Sequence, residues 1–292
     1  MHYEDIYKRI NVKDPKTVNV VFPNSDSNFE ALAEAAKKGF IIPRLYGKKE
    51  AMETYAKKAG LDTGVFIEAE STEDAIWAAI ADIRDGKGDA LMKGDISTSS
   101  FLSPVLNHDR GLRKGDFLSH IAVCDSPGYH KLLFLTDGAL NIELGMERKR
   151  AITDNAIELA EKILQKKPKI AFAAVVEKLN PKLPETLEAR TLAEEYTAKG
   201  YEAEGPIALD VILNAEAAKK KNIDSKISGD VDIILFPDIT TCNFMLKSII
   251  ELQHAPVGGL VMGAKVPLIF ESIFFFLAAS AFKITSKAMG PS

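Results

Sequence analysis

Short apolar runs alternate with helix-patterned segments along most of this chain, and that alternation admits few folds. Runs at residues 18–22, 41–46, 65–68 and 90–92 are each followed by a segment whose apolar residues fall at helical spacing, at 29–38, 48–59, 72–85 and 101–107. Gly39 and Gly60 stand just past the first two segments, where a left-handed residue closes a helix. Strands that alternate with helices pair in parallel, and a parallel sheet needs cover on its faces. The expected fold class is α/β, with mainly parallel sheets and helices on both faces.

The alternation breaks once. Runs at 121–124 and 132–136 have no helix between them and are joined by Ser126-Pro127-Gly128-Tyr129, which predicts a hairpin. A long helix over 147–165 then leads to a run at 170–176 and a second series that ends with runs at 231–236 and 260–262. A chain of 292 residues, 46% of them hydrophobic, is large enough for two domains with separate cores. The long helix is the natural connection, since no Gly/Ser linker or repeat marks a boundary. The apolar stretch 266–282 is interrupted by Pro267 and Glu271 and falls short of the roughly 20 residues a membrane span requires. It reads as a buried strand followed by a core or interface helix.

A formal net charge of −4 offers no general attraction to nucleic acid or to an anionic membrane. Affinity for phosphate then has to come from local sites, which points to a small-molecule partner. The two cysteines, Cys124 and Cys242, lack companions at metal-ligand spacing, so neither a disulfide framework nor a zinc site is expected. The first ten residues carry charges throughout and lack the apolar core of a secretory signal, so a cytoplasmic location is expected.

The strongest chemical feature is Lys93-Gly94-Asp95-Ile96-Ser97-Thr98, which joins the run at 90–92 to the helical segment after it. Glycine permits a sharp turn, the hydroxyls of Ser97 and Thr98 can cap a helix, and the amides of a first helical turn attract an anion. The same residues also describe an ordinary capped turn with a surface lysine. Other polar residues follow apolar runs at Thr136-Asp137-Gly138, Glu177, Pro237-Asp238 and Gly263-Ala264-Lys265. Open α/β sheets bind ligands at such strand ends. No Gly-x-x-x-x-Gly-Lys-Ser/Thr loop, Gly-x-Gly-x-x-Gly, Gly-x-Ser-x-Gly or His-Glu-x-x-His occurs.

Taken in order, Lys93–Thr98, Gly111-Leu112-Arg113, 118–123, Leu133–Asp137 with Asn141, Asn180–Pro184, Gly205–Asp210, Pro237-Asp238, and Asn243 with Lys247 resemble the signature segments of the phosphate acetyl/butyryltransferase family, and its butyryl-type branch more than the acetyl type. The resemblance covers roughly residues 15 to 270. It implies two α/β/α domains of isocitrate/isopropylmalate dehydrogenase-like architecture with a cleft between them, here drawn as residues 1–145 with 266–292, and residues 146–265. It also implies a homodimer that exchanges short acyl groups between coenzyme A and phosphate as substrates, with no tightly bound cofactor or metal. Lys93, Gly94, Ser97, Thr98 and Arg113 would hold phosphate; Thr136, Asp137, Asp238, Asn243 and Lys247 would hold coenzyme A; Ser119, His120 and Ser272 would stand at the reacting atoms.

Two departures accompany the match. Where the family pattern places an arginine after the Ser-Thr pair this chain has Ser103, and where it has a second arginine near the C-terminus this chain has Ile273. By the resemblance the second of these binds phosphate, and a carboxylate beyond it takes the thiol proton. Losing such a group costs on the order of 10² to 10⁴ in rate. The alternative expectation is therefore an acyl-CoA-binding relative with impaired turnover. A third, a dehydrogenase of related architecture, needs clustered aspartates and a nucleotide loop that the sequence does not supply in recognisable form.

Overall fold

The computed structural model describes residues 1–9, 13–115 and 117–270. They divide into two compact units. Of the described residues, an N-terminal unit takes those in 4–118 and 259–270, and a central unit takes 1–3 and 119–258.

In the N-terminal unit, α1 (Tyr3–Arg9) precedes a regular alternation: β1 (Lys16–Val21), α2 (Asp26–Lys37), β2 (Ile41–Gly47), α3 (Lys49–Ala59), β3 (Val65–Glu68), α4 (Thr72–Arg84), β4 (Ala90–Lys93) and α5 (Thr98–Val105). The strands lie side by side as β3-β2-β1-β4, all parallel, with Val18 opposite Pro43 on one side and Ala90 on the other. The boundaries follow from local chemistry. Ser71 accepts a hydrogen bond from the Asp74 amide to start α4, and Gly60, at φ 70°, ends α3 in the left-handed conformation that its missing Cβ permits. Val18, Val20, Leu45, Leu91, Phe29 and Ile80 close the core around the sheet.

The central unit opens with β5 (Ser119–Cys124) and β6 (Leu133–Thr136), the expected hairpin, paired antiparallel with Ala122 opposite Leu135. It continues through α6 (Met146–Leu164), β7 (Ile170–Ala173), α7 (Pro184–Ala198), β8 (Ala203–Ile207), α8 (Leu209–Leu213), α9 (Ala215–Lys220), β9 (Ile233–Leu235) and α10 (Ile239–Gln253). Strand order is β5-β6-β9-β7-β8, parallel from β6 onward. β10 (Val257–Met262) then carries the chain back to the N-terminal unit. There β11 (Leu268–Ile269) pairs antiparallel with β10 and parallel with β4.

These observations refine three expectations. The hairpin packs with the central unit and not with the first domain drawn from the sequence, because β6 pairs directly with β9, placing Phe134 opposite Ile233. The run at 170–176 is a strand only as far as Ala173, and Val175 beyond it is 67% exposed. Of the stretch 266–282, the strand is β11, and the expected helix lies outside the described residues. Among the described residues no helix is long and apolar enough to cross a membrane.

A charge network closes the amino edge of the central sheet. Asp232, fully buried just before β9, pairs with Lys131 at 2.8 Å and accepts a hydrogen bond from the Lys169 amide at 2.9 Å. Asp230 pairs with Lys131 at 2.7 Å and with Lys169 at 3.0 Å. Burial opposes the charge on Asp230, but hydrogen bonds from Lys131, Lys169 and His130 outweigh it and hold the carboxyl far below the usual aspartate range. A depressed folded-state pKa stabilises the fold fully above the unfolded value near ~4 and loses that contribution as pH falls. Lys131→Met, which takes from buried Asp232 its closest ammonium and leaves only Lys166 at 3.9 Å, is expected to cost about 3 kcal/mol at neutral pH and to flatten the decline in stability with acid. Melting curves from neutral pH into acid check both effects, and an unchanged melting profile would refute them.

Candidate active site

Two groups of polar side chains stand at strand ends, one in each unit. In the N-terminal unit β4 ends in a turn whose backbone lies against β1. The amides of Gly94 and Asp95 donate to the carbonyls of Val21 and Phe22 at 2.9 and 3.0 Å. A Cβ at Gly94 would come within 2.5 Å of the Val21 carbonyl oxygen and 2.6 Å of that of Phe22. Only glycine lets the chain turn this closely. The Asp95 carboxylate accepts from the amide of Asn24 and from Asn28 Nδ2, which ties the turn to the start of α2.

Lys93 folds back over this turn, its Nζ donating to the carbonyls of Gly94 at 3.2 Å and Ile96 at 3.0 Å. Its cation is thereby fixed beside the start of α5, where Ser97 caps the helix by accepting from the Ser100 amide at 3.0 Å. Ser99 and Ser100 place further hydroxyls 3.0 and 2.7 Å from Ser97 Oγ. Thr98, the first residue of α5, is exposed, as is Ser103. An ammonium, a row of hydroxyls and the amino end of a helix thus meet in one turn, a set of donors of the kind that suits an anion.

Arg113 lies elsewhere in the same unit. It bridges antiparallel to Ala264, just beyond β10. Because β10 opposes β11 and β11 parallels β4, this bridge sits toward the amino end of β4, whereas Lys93 is at its carboxyl end. Residue spacing carries no information about that reversal.

In the central unit the expected residues gather where β6 ends beside the start of β5. Asp137 is fully buried. Its Oδ1 accepts from the amides of Ala139 and Leu140 at 2.9 and 3.0 Å, and its Oδ2 from Asn141 Nδ2 at 2.5 Å and the His120 amide at 3.2 Å. Thr136, also buried, donates its hydroxyl to the His120 carbonyl at 2.9 Å. Both amide faces of His120 are thus anchored, and Asp137 acts by holding its neighbours, not by facing solvent. Ser119 is fully buried and accepts from Asn155 Nδ2 at 2.9 Å, which links β5 to α6. Asn155 has no counterpart in the sequence reading: a polar residue in mid-helix carries no spacing signal.

α10 supplies the remaining residues. Asp238 caps it, accepting from the amide and the hydroxyl of Thr241, each at 2.8 Å. Asn243 Nδ2 donates to the Gly138 carbonyl at 3.0 Å and so pins the loop after β6 to this helix. Lys247, one turn further on, is exposed. Ser272 lies outside the described residues. Among the described residues no cluster of three or more His, Cys, Asp or Glu is arranged to hold a metal ion.

Comparison with known proteins bears on the same segments. A sequence profile described as "Phosphate acetyl/butaryl transferase" matches residues 43–272. The chain is 34% identical over 275 residues to a phosphate butyryltransferase of Clostridium acetobutylicum, an alignment that covers 92% of this chain and 91% of that one. It is also 34% identical over 275 residues to a phosphate acetyltransferase of Rhizobium meliloti, covering 92% and 87%. Among solved structures, a branched-chain phosphotransacylase from Enterococcus faecalis superposes with a TM-score of 0.82 at 26% identity, covering 92% of this chain and 99% of that one.

The close approach at Gly94 and the cap at Ser97 give separable stability effects. Gly94→Ala is expected to cost about 2 kcal/mol, because the groups a Cβ meets are backbone and cannot swing aside. Ser97→Ala should cost about 1 kcal/mol, and Thr98→Ala less than about 0.5 kcal/mol. Denaturant titrations of the three variants test this ranking, which fails if Gly94→Ala is neutral.

Proposed function

This chain belongs to the phosphate acetyl/butyryl transferase family, and from that premise we infer that it moves a short acyl group, butyryl or branched by preference, between coenzyme A and inorganic phosphate. It is a phosphate acyltransferase. In the direction of acyl phosphate synthesis, a phosphate oxygen attacks the thioester carbonyl, a tetrahedral oxyanion forms, and the carbon–sulfur bond breaks as the thiolate leaves and takes up a proton. Both substrates are polyanions, so the enzyme has to supply cations and donors fixed before reaction.

The turn from β4 into α5 is the observation that carries the reading. Lys93, held against two carbonyls, and the hydroxyls and amides at the start of α5 present a preorganised anion site. In this reading Lys93, Ser97 and Thr98 take the phosphate. Lys247 and the end of α10 near Asn243 take part of coenzyme A, with Asp137 and Thr136 as positioning residues for His120 beside the reacting carbonyl. Arg113, toward the other end of β4, does not carry the assignment. We further read the protein as a cytoplasmic homodimer.

Thiol release from butyryl-CoA in the presence of phosphate tests this directly. The protein's own thiols do not interfere with a thiol reagent: Cys124 and Cys242 are buried, and burial pushes Cys124 up to about 12 and Cys242 well above the ordinary thiol value. Wild-type protein should release thiol above background, and Lys93→Ala should raise the KM for phosphate by about tenfold or more, with a smaller effect on the KM for acyl-CoA. Tight acyl-CoA binding without release over several acyl chains would instead identify the impaired relative.

A further inference from the structure

The strand order of the N-terminal unit reverses at β1. The chain steps outward from β1 to β2 and β3, then returns to lay β4 on the other side of β1, and open α/β sheets take ligands in the crevice that such a reversal leaves beyond the strand ends. The capped turn after β4 borders that crevice on one side. The segment 22–24, which follows β1, borders it on the other, and the two are tied together: the Asp95 amide donates to the Phe22 carbonyl at 3.0 Å, and the Asn24 amide to the Asp95 carboxylate at 2.5 Å. Segment 22–24 also walls a hollow of about 160 Å³, whose lining includes Gly47, Ala51 and Met52. This hollow lies where β1 and β2 end and α3 begins, so about one strand spacing, ~5 Å, separates it from the turn.

The local backbone keeps this space open. Phe22 is held at φ 52°, a left-handed conformation that a bulky residue rarely adopts, with its amide donating to the Tyr46 carbonyl at 2.7 Å. Its ring stands by Gly47, where a Cβ would lie 3.4 Å from Phe22 Cδ2 and 3.5 Å from Met52 Sδ. Gly94 excludes a Cβ because backbone carbonyls press on it, but Gly47 would meet its neighbours at ordinary contact distance, and its φ is outside the left-handed region. Its backbone does not require glycine, so what the missing side chain provides is room. Most residues of the lining are apolar, and among the described residues no carboxylate belongs to it. The thioether of Met52 adapts to chains of different shape. The volume is roughly five times the liquid share of one water, which suits a few methylene and methyl groups and is far too small for a nucleotide or a pantetheine arm.

We propose that this hollow receives the hydrocarbon tail of the acyl group, with the acyl carbonyl at the capped turn and the chain crossing the end of β1, so that Phe22, Gly47, Ala51 and Met52 select its length. The inference rests on the acyltransferase reading above and goes beyond it by assigning the residues that choose the acyl chain. Phosphate-dependent thiol release by the full chain, compared between acetyl-CoA and butyryl-CoA, tests it. Each methylene moved from water into such a hollow is worth roughly fourfold, so wild-type kcat/KM should be about tenfold higher for butyryl-CoA than for acetyl-CoA. Ala51→Leu, at a half-buried position in the first turn of α3, fills the hollow and should bring that ratio down to about one. Gly47→Ala adds one methyl and should lower the ratio by about threefold. In both variants the KM for phosphate should stay within about twofold of the wild-type value. Circular dichroism and melting establish that each variant is folded; should Ala51→Leu not fold, Gly47→Ala decides alone. A wild type that releases no thiol from either acyl-CoA removes the acyltransferase reading and this assignment with it. Release with no gain from acetyl to butyryl, or a ratio that either folded variant leaves unchanged, removes the assignment alone.

Discussion

The carboxylate of Asp137 is the constraint on which the central unit's active edge depends. A charge taken wholly out of water costs several kcal/mol unless hydrogen bonds replace its hydration. Here four donors do so, from Ala139, Leu140, Asn141 and His120. To supply them, the chain after β6 must curl into a tight loop and β5 must start at the right level beside it. Asn243 then fastens that loop to α10 through the Gly138 carbonyl. Satisfying one buried charge thus fixes the relative position of a strand, a loop and a helix, each of which bears a residue assigned to the reaction.

The two edges of the central sheet divide their chemistry. At the amino edge, Asp230 and Asp232 meet Lys131 and Lys169 in ion pairs that are largely complete. At the carboxyl edge, carboxylates accept from backbone amides, as at Asp137 and Asp238, whose N–H dipoles offset part of their charge. The N-terminal unit treats Asp95 the same way, through Asn24 and Asn28, and fixes the ammonium of Lys93 against the turn that leads into α5. A chain of net negative charge can attract polyanionic substrates by this means, because the sign that matters is set within a few ångströms of the site.

Much of this was legible from residue order. The βα alternation through Lys93, the β5–β6 hairpin and the long helix α6 all follow from periodicity and turn chemistry, which act within a few residues. Lys93, Ser97 and Thr98 were recognisable for the same reason: a cap and a turn are local. Asn155, Asn24 and Asn28 were not, because their partners Ser119 and Asp95 lie 36 to 71 residues away and no spacing rule connects them.

By itself, then, the order of residues determined the class of fold, the location of the capped turn after β4 and, through the ordered signature segments, the family. The tertiary structure alone decided which strands became neighbours, and so that the hairpin belongs with β9 and that Arg113 and Lys93 lie toward opposite ends of β4. It also decided that Asp137 and Ser119 are buried supports, while Val175 and Leu179 project into water. The physical reason is the same in each case. Helix and turn preferences are short-range energies written in adjacent residues, whereas strand order, burial and exposure depend on contacts between segments distant in sequence, which exist only once the chain is packed.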